Sequence, residues 1–98
     1  MTEKHKRIIK SNFDKLVNLN AGSVMVDLVA KDIFTFHEQE HVNAESTSQQ
    51  KANELLTMLV KKQDRGFYVL IAALEKRGNP ELARILERAG EMLNFLCI

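Results

Sequence analysis

His37, Glu38 and His41 satisfy the spacing H-E-x-x-H. On a helix, imidazoles four residues apart share a face and can hold zinc while the glutamate acts as general base on a metal-bound water. A zinc hydrolase built this way also needs a third ligand from elsewhere and a groove with an open coordination position. Glu45 and Glu54 lie downstream and qualify as third ligands by count alone. Thr35, three residues before Glu38, points to a different use of that carboxylate: a capping box, in which the hydroxyl takes one orphan amide and the carboxylate reaches back for another. A filled helical bundle of this size leaves little room for a substrate cleft. The expectation is therefore surface histidines, with no catalytic residue, metal or cofactor. Protonation of His37 and His41 between about pH 6 and 7 would add positive charge beside neighbouring acids.

Cys97 is the single cysteine, so no internal disulfide can form, and the thiol reads as an unremarked tail residue suited to a reducing compartment. Lysine and arginine number 14 against 13 acids, giving a formal net charge of +1. Such balance provides no broad field toward nucleic acid or an anionic membrane, which weighs against a helical nucleic-acid reader. Lys61, Lys62 and Arg65 form a local cationic run; cations near a helix end suit the dipole, and the run is also a candidate second contact surface. No apolar signal-peptide core follows Met1, the longest apolar run, Val69 to Leu74, is far too short to span a bilayer, and Cys97 is misplaced for prenylation. The expected location is cytoplasmic.

Positioning these groups falls to helices. A chain of 98 residues, 45% hydrophobic and 28% charged, is one ordinary globular domain. Ile9, Phe13 and Leu16 follow helical spacing, and Val24, Met25, Leu28 and Val29 form a second stripe. Thr35 with Glu38 starts a short third helix, and Thr47 with Gln50 repeats that capping chemistry before the cleanest stripe, Ala52, Leu55, Leu56, Leu59 and Val60. Asp64 is placed to cap a fifth helix carrying Phe67, Leu70, Ile71 and Leu74, which Gly78 ends in a left-handed cap. Asn79, Pro80 and Glu81 read as N-cap, first-turn proline and dipole-favoured acid, with Leu82, Ile85, Leu86, Ala89 and Leu93 inward. Met25, Met58 and Met92 read as filler, and Phe67 with Tyr68 as packing aromatics. The spacing predicts helices over about 3–19, 23–32, 35–43, 48–62, 65–77 and 80–94. With no strand signal, they form an all-α six-helix antiparallel bundle spanning 1–98.

In this order the features resemble the caspase recruitment domains of the death-fold superfamily. The similarity is carried by Ile33-Phe34-Thr35 leading into an acidic third helix, Leu55-Leu56 and Leu59, Gly66-Phe67, Ala73-Leu74, Gly78 and Leu82-Ala83. It implies a bundle whose first helix is often kinked, acting in apoptosis or innate-immune signalling by pairing with another caspase recruitment domain. In the family a basic surface on the first and fourth helices commonly meets an acidic surface on the second and third. The matching basic positions are Arg7, Lys10 and Lys51; the acidic ones are Asp27, Asp32, Glu38 and Glu40. Where relatives often carry arginine on the first helix, this chain has Phe13, whose spacing with Ile9 and Leu16 predicts a core position. Charges of both signs on one chain also permit head-to-tail self-association into a helical assembly.

Overall fold

A computed structural model describes residues 1–77 and 79–96, the side chains of 91–96 excepted. Gly78, Leu93, Met92 and Cys97, each assigned a role from the sequence, therefore lie outside the described residues or side chains. The described chain is helical, in the order α1 Glu3–Ser11, α2 Phe13–Leu16, α3 Ala21–Ala30, α4 Phe36–Asn43, α5 Ser48–Leu59, α6 Arg65–Lys76 and α7 Pro80–Leu96. With α1 and α2 counted as one broken helix, this is the expected six-helix bundle.

Helix starts follow local chemistry. Both capping boxes form: Thr35 Oγ1 accepts from the Glu38 amide while Glu38 accepts from the Thr35 amide, and Thr47 pairs likewise with Gln50. α3 begins two residues before its expected start because the Asn20 side chain accepts from the Ser23 amide and caps it. α5 stops at Leu59, before the expected Lys62, and the amides of Lys61 and Lys62 turn back to the carbonyls of Met58 and Leu59.

The core runs through every major element. Ile8, Ile9 and Leu16 meet Val24, Met25 and Leu28 of α3, Val42 of α4, Leu55, Leu56 and Leu59 of α5, Phe67, Leu70 and Leu74 of α6, and Leu86 of α7. α6 packs against α3 and α7, α7 returns to α1, and α3 meets α4 and α5. Burying each such side chain contributes roughly 1.5–3 kcal/mol.

The first helix breaks at Asn12, correcting the continuous 3–19 helix. Asn12 Nδ2 donates to the Ile8 carbonyl at 2.9 Å, competing with the backbone ladder, while the Asn12 amide is shared between the carbonyls of Ile8 and Ile9. The backbone there, at φ −109° and ψ 14°, leaves the helical region. This break also corrects Phe13, which is half-buried at the edge of the core instead of inside it.

α3 ends on a strained residue. The Ile33 amide reaches the Leu28 carbonyl and the Asp32 amide that of Val29, the Schellman pattern, with Asp32 in the left-handed position at φ 61°. Glycine occupies that position without strain; an L-residue there costs on the order of 1–2 kcal/mol.

Leu59 is fully buried beside Gly66, where an added Cβ would lie 3.1 Å from Leu59 Cδ1. Leu59→Ala is expected to lower unfolding free energy by about 2–5 kcal/mol in urea denaturation.

Candidate interaction surfaces

One internal cluster joins residues far apart in the chain. His5 is 4% exposed, and its ring stacks on Phe67 with centroids 4.2 Å apart and planes 9° from parallel. Tyr68 meets both rings edge-on and is itself exposed, so it is no core residue. His5 Nδ1 donates to Asp64 Oδ1 at 2.8 Å, since a carboxylate only accepts. The Thr2 amide donates to the same oxygen at 2.7 Å. The hydrogen bond from the Thr2 amide, then that from His5, bring the Asp64 carboxyl down to about 2. Asp64 stands at the start of α6 as expected, but its side chain makes no cap bond there. It ties the start of α1 to α6 instead. In the sequence His5 sits in a charged run, and only partners 59 to 63 positions away reveal its burial.

The four acidic candidates divide into two kinds. Asp27 is only 15% exposed at its side chain and takes a bidentate grip from Arg77, Nε to Oδ2 at 3.0 Å and Nη2 to Oδ1 at 3.1 Å, with Lys76 Nζ 3.5 Å away. The Arg77 hydrogen bond, against the opposing effect of burial, holds the Asp27 carboxyl below its usual range, and Asp27 raises Arg77 in return. Lys76 and Arg77 thus bind the end of α6 to α3. Glu38 is likewise engaged. Its oxygens lie 2.7 and 3.0 Å from Lys62 Nζ, which also stands 5.1 Å over the Phe34 ring. Burial pushes the Glu38 carboxyl up, but hydrogen bonds from Lys62 and the Thr35 amide outweigh it and the net direction is down. Asp32 and Glu40, by contrast, are exposed.

Among the cations, Arg7, Lys10, Lys61 and Arg65 are exposed, whereas Lys51 and Lys62 are half-buried. Lys61, Lys62 and Arg65 border a cleft of about 440 Å³ that Asp32 also lines, so the proposed second surface carries both signs. A separate notch of about 260 Å³ lies between α1, α2 and α5, lined by Lys6, Ile9, Lys10, Phe13, Leu56, Thr57 and Val60. Lys10, with Arg7 three residues before it on α1, flanks this notch; Lys51 is not among its lining residues.

The H-E-x-x-H spacing does not become a metal cage. Among the described residues, no group of three or more His, Cys, Asp or Glu is placed to hold a metal ion. Glu38 is spent on Thr35 and Lys62, and His41 Nε2 pairs with Glu54 at 3.0 Å on the surface. Count alone had singled out Glu54, and it does reach His41, but as the sole partner.

Compared with known proteins, the chain matches the model of the caspase recruitment domain over residues 3–89. A search of curated proteins finds no match.

Because Asp64 titrates below the ordinary aspartate value of 3.8, its contribution is complete above that value and lost as pH falls through about 2. Asp64→Asn is expected to melt below the wild type from neutral pH down to about 4, with the gap closing toward pH 2. A gap that stays constant across thermal melts over this range would contradict the role given to Asp64.

Proposed function

The chain belongs to the caspase recruitment domain family, whose members are homotypic protein-interaction modules and not enzymes, and from that premise we propose that it assembles signalling proteins in apoptosis or innate immunity. From the order of its sequence features we infer a resemblance to the domain of the apoptosome scaffold. Pairing joins the cations of α1 and α5 to the exposed acids Asp32, in the turn after α3, and Glu40, on α4, of another caspase recruitment domain. Proximity of the joined proteins is the output.

The observation that carries this reading is the division of charge. Asp27 and Glu38 are bound within the bundle, whereas Asp32 and Glu40 stand exposed, as do Arg7 and Lys10. Asp32 is the most informative of these, because it occupies a left-handed turn where glycine would be more stable. Local strain retained in a surface turn points to a use for the side chain. Exposed charge pairs contribute only about 0–1 kcal/mol each, so their main effects are on encounter rate and on rejection of wrong partners. No helix among the described residues is long and apolar enough to cross a membrane. We place the module in the cytoplasm, where its single cysteine suits a reducing environment.

Binding is measured by calorimetry against a panel of caspase recruitment domains at low and high salt. Lys10→Glu is expected to weaken pairing several-fold, mainly by slowing association, with the melting temperature nearly unchanged. Asp32→Gly is expected to separate stability from function: about 1 kcal/mol more stable, through relief of the left-handed strain, yet weaker in binding. Absence of binding to every member of the panel, or unchanged affinity in both variants, would refute the charged-surface reading.

A further inference from the structure

We propose that the apolar notch between α1, α2 and α5 is a binding site for a free fatty acid, with the alkyl chain in the notch and the carboxylate on Lys10 and Lys6. The notch arises from the break at Asn12. Its side chain holds the Ile8 carbonyl, the helix is interrupted, and the half-buried Phe13 ring becomes one wall beside buried Ile9 and Leu56 and half-buried Val60. The volume of about 260 Å³ exceeds the roughly 150 Å³ of a dry apolar cavity that takes up benzene, so an alkyl segment fits.

The polar groups fix the kind of apolar ligand. Lys6 and Lys10 stand four residues apart on α1, so they share a helix face, and both line the notch. Lys10 is exposed and has no ion-pair partner among the described residues, and Lys6 holds only a loose 3.8 Å pair with Glu3. Thr57 also lines the notch, but its hydroxyl donates to the Asn53 carbonyl at 2.8 Å and is spent within α5. No acidic side chain is among the lining residues. The cleft beside Lys61 and Arg65 differs on this point, because Asp32 shares its lining and would repel a negative head.

A mostly apolar hollow with a few placed polar groups is the usual form of a small-molecule site. Here the placed groups are two ammonium ions at one side of an apolar wall, which calls for one anionic head on one apolar tail. A single carboxylate matches the one unpaired and one loosely held cation, and a single chain matches a hollow of this volume. Lys10 also belongs to the basic surface proposed for pairing, so a bound carboxylate would take that charge out of use. This consequence rests on the pairing reading; binding of the fatty acid does not.

Titration of the isotope-labelled chain with sodium decanoate, below the concentration at which decanoate forms micelles, tests the site through amide chemical shifts. Saturable one-to-one binding is expected, with the largest shifts at Ile9, Phe13, Leu56 and Val60. Hexanoate, octanoate and decanoate should bind in rising order, by about three- to fourfold for each methylene that becomes buried. Decanol, which has the same chain without the charge, should bind several-fold more weakly. Thr57→Trp, which places a ring over the notch from its exposed rim, is expected to weaken decanoate binding about tenfold or more, equivalent to the burial of two methylenes. Lys10→Gln is expected to weaken it a few-fold. Absence of saturable shifts, shifts centred away from the notch, or wild-type affinity in a folded Thr57→Trp would overturn the site. Circular dichroism melts report folding, and if Thr57→Trp does not fold, the shift map and the chain-length series decide. Flotation with phosphatidylglycerol vesicles in the absence of any response to decanoate would assign the notch to a membrane surface and likewise overturn the proposal. Calorimetry of pairing with another caspase recruitment domain, with and without saturating decanoate, is read separately: unchanged pairing would detach the notch from the pairing surface while the fatty-acid site stands.

Discussion

The helices from α1 to α6 are too short to be secure on their own. Isolated helices shorter than about 12–15 residues are marginal in water, and here α1 through α6 run from 4 to 12 residues. Their stability comes from one shared apolar interior, in which α6, carrying buried Phe67, Leu70 and Leu74, is the hub that packs against both α3 and α7. Anything offered on the outside, whether charge or ring, is held in place only because those stripes meet. Burial of Gly66 against Leu59 and Ile33 shows how close the approach is, with methyl groups 3.1 and 3.3 Å from where a side chain would begin.

The charges then fall into an internal and an external set, and proximity along the chain does not predict which. Asp27 with Arg77, Glu38 with Lys62, and Asp64 with His5 all join elements far apart in sequence. These pairs are partly shielded from water and stitch the start of α1, the turn after α5 and the end of α6 to their neighbours. A pairing domain needs both kinds. The internal bonds keep the surface shape constant, so the exposed charges keep the spacing that complementarity requires.

Much of the architecture was legible in the residues. Both capping boxes, the stripe from Ala52 to Leu59 and the start of α7 at Pro80 follow from local chemistry, because a cap is satisfied within three or four residues and helical periodicity repeats within a turn. Asn12 marks the boundary of that legibility. A single asparagine among Ser11, Phe13 and Asp14 carries little positional signal, yet its side-chain bond to Ile8 divides the helix and moves Phe13 from the expected core to the rim of a notch. Asp64 was placed correctly at the start of α6, but its side chain bonds across the bundle instead of capping the helix.

By itself, then, the order of residues determined that this protein is helical, how many stripes it buries, where most helices start, and which family it resembles. Only the tertiary structure decided which charges remain outward, that His5 is buried on Phe67, and that an apolar notch opens between α1, α2 and α5. The physical reason is range. Helix formation and capping are settled by neighbours within about four residues, whereas ion pairing, ring stacking and surface shape depend on which helices come to lie side by side.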